Sequence, residues 1–413
     1  VNNEEQRTPP LRVDGALDDL LLIDGHNDLP VALRTRAGYS VEGLDSRRTE
    51  LHTDIPRLRE GRVGAQFWSV WVPSDLPEDA AVVATLEQVD AVHRLTARYP
   101  QVFAPASTAD DVERVFASGR IASLLGIEGG HSIAESVGAL RMFARLGVRY
   151  MTLTHNDDTT WAASATGVRQ STGLSSVGKA IVAEMNRIGM IVDLSHTAES
   201  TQLDALSVTS APVIFSHSSA RAVTEHPRNV SDRVLGELAR NGGVVHITFV
   251  SEFVSEAYAG WDRRRTEEWF AEARMPAPFA SAPRPGESAE SALARNDLAR
   301  ERDGTPTASL DSLSAWLDRN PPPPVHVTDV ADHVEHARDV AGIDHIALGG
   351  DFDGTTALPI GLDDVSAYPA LAEELRTRGW SRSELAKLAG GNVLRVMRAV
   401  EDSSAEPLWP TLP

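Results

Sequence analysis

Several short apolar runs in this 413-residue chain stop at residues able to ligate a metal or carry a proton. The first ends in DGHNDLP with His26 and Asp28, and another ends in GIEGGHS with Glu128. TLTHND supplies His155, VDLSH His196, VIFSHSS His217 and ALGGDFDG Asp351. Imidazole nitrogens and carboxylate oxygens suit Zn2+ and, less selectively, other divalent first-row metals. A single histidine after a strand is more often a hydrogen-bonding residue than a ligand. Five donors at corresponding positions reverse that expectation. His26, Asp28, Glu128, His196 and His217 are more ligands than one open catalytic zinc uses. The set therefore reads as a site for two Zn2+ ions, His26 and Asp28 on one, His196 and His217 on the other, and Glu128 bridging. Two metals about 3.5–4 Å apart can hold a hydroxide and polarise a substrate carbonyl. His26 and Asp28 stand two residues apart, a spacing that puts both side chains on one face of a regular strand. Asn27 is then left to a structural role.

The elements that carry these residues follow a regular rhythm. Apolar or β-branched runs predict strands at Leu20–Asp24, Gly64–Val72, Ile121–Ile127, Tyr150–Thr154, Met190–Leu194, Val213–Ser216, Val244–Phe249 and His345–Leu348. Amphipathic stretches predict helices at Pro77–Arg98, Ala109–Ser118, Ser136–Leu146, Ser175–Ile188, Ala198–Leu206, Asp232–Arg240 and Asp329–Ala341. Leu371–Arg376 and Ser383–Val400 read as closing helices, with GGN at 390–392 as a turn or cap. Eight strands alternating with helices point to an α/β fold, a (β/α)8 TIM barrel. An open doubly wound sheet is the other arrangement of such units, but no G-x-G-x-x-G follows any strand. Six of the eight strands deliver an ionisable residue at their carboxyl ends, which in a barrel form the catalytic face.

Residues 256–324 break the rhythm between the seventh strand and its helix, running from WDRRRTEEWFAEARM to a run of four prolines. So long a stretch reads as an insertion within a single domain spanning 1–413. It lies on the catalytic face, either as a lid or as a peripheral addition. The net charge of −20 argues against nucleic acid and anionic membranes, which need clustered Lys and Arg. No apolar run reaches the roughly 18 residues of a membrane span. The absence of cysteine removes thiolate metal sites and thiol catalysis and fits a cytoplasmic location. Val1 leaves trimming of an export signal open. Of thirteen histidines, His93, His333 and His336 fall on predicted helices and are expected to be solvated. His131 and His246 are candidates to support a metal ligand from behind.

Taken in order, DGHNDLP, GAQFWSVW, GIEGGHS, RYMTLTHN, GMIVDLSH, APVIFSHSSA, RNVSD and GGDFDG resemble the renal (membrane) dipeptidase family of zinc peptidases. The resemblance runs from about Leu21 to Val400, interrupted by the insertion. It implies a barrel of the amidohydrolase type with two zinc ions and a small dipeptide substrate, including dipeptides with a D-residue at the C-terminal position. The family's metal residues fall on His26, Asp28, Glu128, His196 and His217. The resemblance further implies that His155 contacts the substrate carbonyl and Arg228 binds its C-terminal carboxylate. It makes Asp351 the proton shuttle and Trp71 a wall of the substrate pocket. A homodimer is a possible assembly. The cysteines and lipid-anchor signal of secreted animal relatives are absent from this sequence, so membrane attachment is not carried over.

The main alternative is another hydrolase on the same barrel, acting on a lactone, cyclic amide or phosphoester. Many such enzymes place H-x-H on the first strand and bridge their metals with a carboxylated lysine. Here the motif is H-x-D and Lys179 lies in a helical stretch. A non-catalytic metal- or peptide-binding protein is a third reading, disfavoured because every expected site residue type is present.

Overall fold

A computed structural model describes residues 15–272 and 316–405. Nine parallel strands form one sheet: β1 (Leu22–Asn27), β2 (Val63–Trp71), β3 (Phe103–Pro105), β4 (Ile121–Glu128), β5 (Val148–Thr152), β6 (Ile191–Asp193), β7 (Ile214–Phe215), β8 (Val244–Ile247) and β9 (Ile346–Leu348). Their order is β2-β1-β9-β8-β7-β6-β5-β4-β3, and β2 also pairs with β4, closing eight of them into a barrel. The unexpected ninth, β3, lies outside that ring. It pairs with Ile121–Ser123 at the start of β4, before β5 takes over that edge at Leu125. Three residues on one short edge leave too little periodicity to read from sequence.

Barrel closure is visible in the packing. One apolar cluster takes Ile23, Ala65, Phe67, Ala122, Leu124, Tyr150, Ile191, Ile214, Val244 and Ala347, at least one residue from each ring strand. Only the inside of a closed barrel can be reached by all eight. Val112 and Val115 of the helix Ala109–Ala117 join this cluster, as do Val396 and Met397 of the helix Asn392–Ser403, and they plug the end opposite the strand termini. A second cluster fills the layer between strands and outer helices. The helix Ala109–Ala117 starts at a reciprocal cap, Thr108 accepting from Asp111 N–H while the Asp111 carboxylate accepts from Thr108 N–H.

Three expectations are corrected. The first strand runs through His26 and Asn27 instead of stopping at Asp24. Asp24 pairs with Gln66 and Asn27 with Trp68, so Gly25 and His26 together oppose the single residue Phe67. This bulge re-aims His26. Asp28 has already left the strand, with φ −93° and ψ 21° at the start of the helix Leu29–Ala37. Regular strand alternation is therefore not what brings His26 and Asp28 together. GGN is no turn either: helix continues from Arg382 to Ser403 through a π-helical segment at Lys387–Gly391. A Cβ on Gly390 would meet the Leu21 carbonyl and Ile23, so glycine lets this helix press against β1.

The insertion begins as structure. The helices Ser251–Val254 and Glu256–Glu272 follow β8 directly. Trp261 stacks near Trp316 with centroids 5.8 Å apart, and its indole N–H donates to the Asn320 carbonyl. Residues 273–315, the centre of the expected insertion, lie outside the described residues.

Candidate active site

The carboxyl ends of β1, β4, β5, β6, β7 and β9 bring the expected residues to one place. His26 Nε2 lies 3.4 Å from Asp28 Oδ2, 3.6 Å from Glu128 Oε2 and 4.0 Å from Asp351 Oδ1. On the other side, Glu128 Oε1 is 2.9 Å from His196 Nε2, 3.4 Å from His217 Nε2 and 3.7 Å from His155 Nε2. Glu128 thus turns one oxygen to each half of the cluster, while Ser69 donates to Oε2 at 3.1 Å. Among the described residues, three groupings have ligand atoms within 4.8 Å of one another: His26 with Glu128 and His217, Glu128 with His155 and His196, and His26 with Asp28 and Asp351. They cut across the division expected from sequence, since His217 reaches towards both halves. The His196 and His217 Nε2 atoms lie only 2.8 Å apart.

Hydrogen bonds behind the rings set their tautomers. The Tyr150 hydroxyl can donate to the Gly25 carbonyl at 3.2 Å, so at 3.0 Å it accepts from His26 Nδ1–H. Asn156 Oδ1 faces His196 Nδ1 at 3.2 Å and accepts likewise. Each arrangement leaves an Nε2 lone pair pointing into the cluster, the state a metal requires. His26 Nε2 and Asp28 Oδ1 are buried without a hydrogen-bond partner. Orphaned nitrogen and oxygen donors beside three carboxylates fit divalent cations.

The electrostatics divide the rings. Against the effect of burial, Tyr150, Glu128 and Asp28 hold His26 well above the usual imidazole value, a charge that an arriving cation would displace, while the other rings go the opposite way. Burial, with Arg228 and neighbouring histidines adding, holds His196 and His217 well below the usual imidazole value, hence neutral. Burial does the same to His155, helped by His131 and Arg228. Burial pushes Glu128 up, and it pushes Asp351 well above the usual carboxylate range, where the Asp28 charge adds to the effect. These carboxylates lack sufficient positive charge from side chains alone. His155 and Asp351 keep 17% and 13% of their side chains exposed against 0% for His26, so those two face an entering molecule. His196 and Asp351 both adopt left-handed backbone, φ 65° and 60°. Such strain costs on the order of 1–3 kcal/mol per residue and persists where the surroundings over-determine it.

The two expected substrate contacts sit at the rim. Trp71 ends β2 opposite Glu128, its ring centroid 5.3 Å from His155 and its buried indole N–H without a partner. Arg228 lies in a loop after β7 and is nevertheless only 4% exposed. It donates to the His217 carbonyl at 3.2 Å and Ser218 Oγ at 3.4 Å, and its guanidinium lies 5.2 Å from the Phe253 ring centroid. Asn229 makes this burial possible: its amide donates to the Thr224 and Phe253 carbonyls and its Oδ1 accepts from Ser219 N–H, stapling the loop down.

His93 is exposed as expected, but three other expectations for histidine fail. His333 is fully buried, its Nδ1 accepting from Ala220 N–H at 3.0 Å. His131 Nε2 and His246 Nδ1 each bond a backbone carbonyl, of Val72 and Phe215 respectively, both at 2.8 Å, and hold loop and strand instead of a ligand. The residues that do stand behind the candidate ligands, Tyr150, Asn156, Ser69, Asp193 and Ser216, were not singled out from sequence. One signal was legible: Asp24 and Asp193 are charged residues inside otherwise apolar strands, each just upstream of a site histidine.

Tyr150 depends in turn on a glycine. A Cβ on Gly126 of β4 would overlap the Tyr150 ring. Gly126→Ala is expected to destabilise the protein by about 1–3 kcal/mol through overpacking. It should also weaken metal binding by displacing the Tyr150 hydroxyl from His26. Thermal unfolding with and without added metal measures both, and an unchanged Tm would refute the overpacking.

Comparison with known proteins gives a consistent outcome. The family model described as membrane dipeptidase (peptidase family M19) matches residues 12–409. A protein of Clonostachys rogersoniana named dipeptidase verJ is 41% identical over 400 residues, covering 94% of this chain and 86% of that one. The probable dipeptidase PvdM of Pseudomonas aeruginosa has a crystal structure with TM-score 0.76 at 21% identity, covering 94% and 97% of the two chains. A metallopeptidase of Rhodobacter sphaeroides, solved with a phosphinate mimic of the dipeptide L-Ala-D-Ala, has TM-score 0.71 at 22% identity, covering 94% and 100%. At such identities these two likenesses speak to the fold.

Proposed function

The chain belongs to the membrane dipeptidase family, peptidase family M19, and on that premise we propose that its strand-end cluster holds two Zn2+ ions and hydrolyses L-Xaa-L-Xaa and L-Xaa-D-Xaa dipeptides. As a member it is a metal-dependent dipeptidase. The observation that carries the two-ion reading is Glu128, whose Oε1 faces His196 and His217 while Oε2 faces His26. His26 and Asp28 would hold one ion, His196 and His217 the other, with Glu128 shared. When bound, such a pair supplies Lewis acidity that activates water and draws charge from a carbonyl oxygen.

The remaining steps fall to side chains. Arg228 receives the C-terminal carboxylate of the dipeptide and sets its direction. Trp71 walls the pocket beside His155. A neutral His155 donates a proton-bearing nitrogen to the oxygen that gains charge as the carbonyl becomes tetrahedral. Asp351, beside His26 and partly open to the mouth, takes a proton from the attacking water and returns it to the leaving amine. The D-residue tolerance rests on the family resemblance and on the orientation being set by a carboxylate instead of a side chain. No helix among the described residues is long and apolar enough to cross a membrane. A cysteine-free composition supports a cytoplasmic location, which cell fractionation tests.

Elemental analysis of the purified protein should find two zinc ions per chain, and chelation should abolish turnover. Metal-free protein that still cleaved dipeptides would end the proposal. A library of L,L and L,D dipeptides run beside lactone and phosphotriester panels tests the substrate class, and turnover confined to those panels would overturn it. Asp351→Asn is expected to retain zinc while kcat falls roughly 10²–10⁴-fold, the usual contribution of a positioned proton carrier. Wild-type kcat in that variant would remove the shuttle role.

A further inference from the structure

We infer that Asp193, which lies behind the cluster, is the positioning residue that holds His217 in the one tautomer able to ligate a metal. The inference rests on the reading that His217 is a ligand. Asp193 ends β6 and is fully buried. Its Oδ1 accepts from the backbone N–H of Ser195 at 3.0 Å and of Ser216 at 2.9 Å. Its Oδ2 accepts from the hydroxyls of Thr152 and Ser216, both at 2.6 Å. One carboxylate therefore ties together the ends of β5, β6 and β7.

Two of those ties reach His217. Ser195 Oγ accepts from the His217 backbone N–H at 3.0 Å, and Ser216 Oγ lies 2.8 Å from His217 Nδ1. With four donors pointing at its two oxygens this carboxylate serves as an acceptor, so the single Ser216 hydroxyl proton is committed to Asp193. Ser216 Oγ can then offer His217 nothing but lone pairs, and Nδ1 must carry the ring proton. The Nε2 lone pair is left facing Glu128 and His196. His26 and His196 are held by the neutral groups Tyr150 and Asn156. An amide can rotate its two ends, and a phenol can turn its proton. The Asp193–Ser216 pair has no such freedom.

Asp193→Asn is the informative change because it keeps the shape. With the amide oxygen retained on the two backbone N–H groups, the amide nitrogen faces Ser216 and donates to it. The Ser216 proton is then free to point at His217 Nδ1, and the ring proton moves to Nε2, where it blocks ligation. Nitrogen-15 NMR of histidine-labelled, metal-free full-length protein reads the tautomer directly. Competition of the zinc-loaded protein with a chelating dye reads affinity. The expected result is an Nδ1–H His217 in the wild type, an Nε2–H His217 in Asp193→Asn, and roughly 10–100-fold weaker binding of one of two zinc ions. Ser216→Ala serves if that variant folds poorly; it leaves the two backbone ties to Asp193 in place and should weaken the same ion to a similar extent.

An unchanged tautomer with two zinc ions bound as tightly as in the wild type overturns the role of Asp193 and leaves the dipeptidase reading intact. Wild-type protein that binds no zinc overturns that reading, while the tautomer comparison still decides whether Asp193 positions the ring.

Discussion

Glu128→Gln is expected to fold, to hold at most one zinc ion tightly, and to lose dipeptide hydrolysis by roughly 10³-fold or more, the scale of removing a preorganised electrostatic group from a water-excluded site. Glu128 ends β4 with little exposure, and its two oxygens face different histidines, Oε1 at 2.9 Å from His196 and Oε2 at 3.6 Å from His26. An amide keeps the volume but presents one nitrogen that only donates. Whichever way the amide turns, one half of the cluster meets a donor where it needs an acceptor. The side chain also loses the charge that a pair of divalent cations requires. Zinc content, circular dichroism and kcat/KM measured on the same preparation separate the outcomes. Two zinc ions bound with wild-type affinity, or activity within about tenfold of wild type, would rule out a bridging role.

Arg228→Met should show the second large effect, a fall in kcat/KM for free dipeptides of about 2–5 kcal/mol, the cost of truncating one partner of a buried charge pair. At about 1.4 kcal/mol per factor of ten this is roughly 30- to several thousand-fold. Burial draws the Arg228 guanidinium down to about 10, against the opposing pull of Asp351 and Glu128. Its donors are only partly used, because two lie at 3.2 and 3.4 Å from their acceptors and Nε is buried with no acceptor. A carboxylate arriving in that fork completes the set. The wild type should therefore discriminate strongly between a dipeptide and its C-terminal amide, and Arg228→Met should turn over both at similar, low rates. Survival of that discrimination in the variant would show that the carboxylate is read elsewhere. Stability should hold, because replacing a poorly compensated buried charge by an apolar chain of similar size is often neutral or favourable.

Legibility from sequence followed the range of the interactions involved. Helix Glu78–Arg98 lies within one residue of expectation because 21 residues of patterned sequence carry their own periodicity. β7 shrinks to Ile214–Phe215, since a central barrel strand is paired on both edges by neighbours far away in sequence. The candidate ligand types and their places after strands were readable, because each sits next to its own apolar run. The bulge at Gly25–His26 was not, since it is defined by register against Gln66 and Trp68. Nor was the burial of Arg228, which depends on Asn229 reaching Phe253, a residue 24 positions on.

Composition and spacing alone were enough for a barrel with nitrogen and oxygen donors at its strand ends, because hydrophobic periodicity and residue chemistry are local properties. Folding added which nitrogen of each ring is free, which carboxylate stands between the two halves, and which glycines admit a neighbour. Those are settled by hydrogen bonds such as Tyr150 to His26, Asn156 to His196 and Ser216 to His217, and by contacts such as Gly126 with Tyr150. The direction of a lone pair is fixed by what stands behind the ring. In this protein that partner comes from 124 residues away for His26, from 40 for His196, and from the adjacent residue for His217, where it is itself set by Asp193 at a distance of 23.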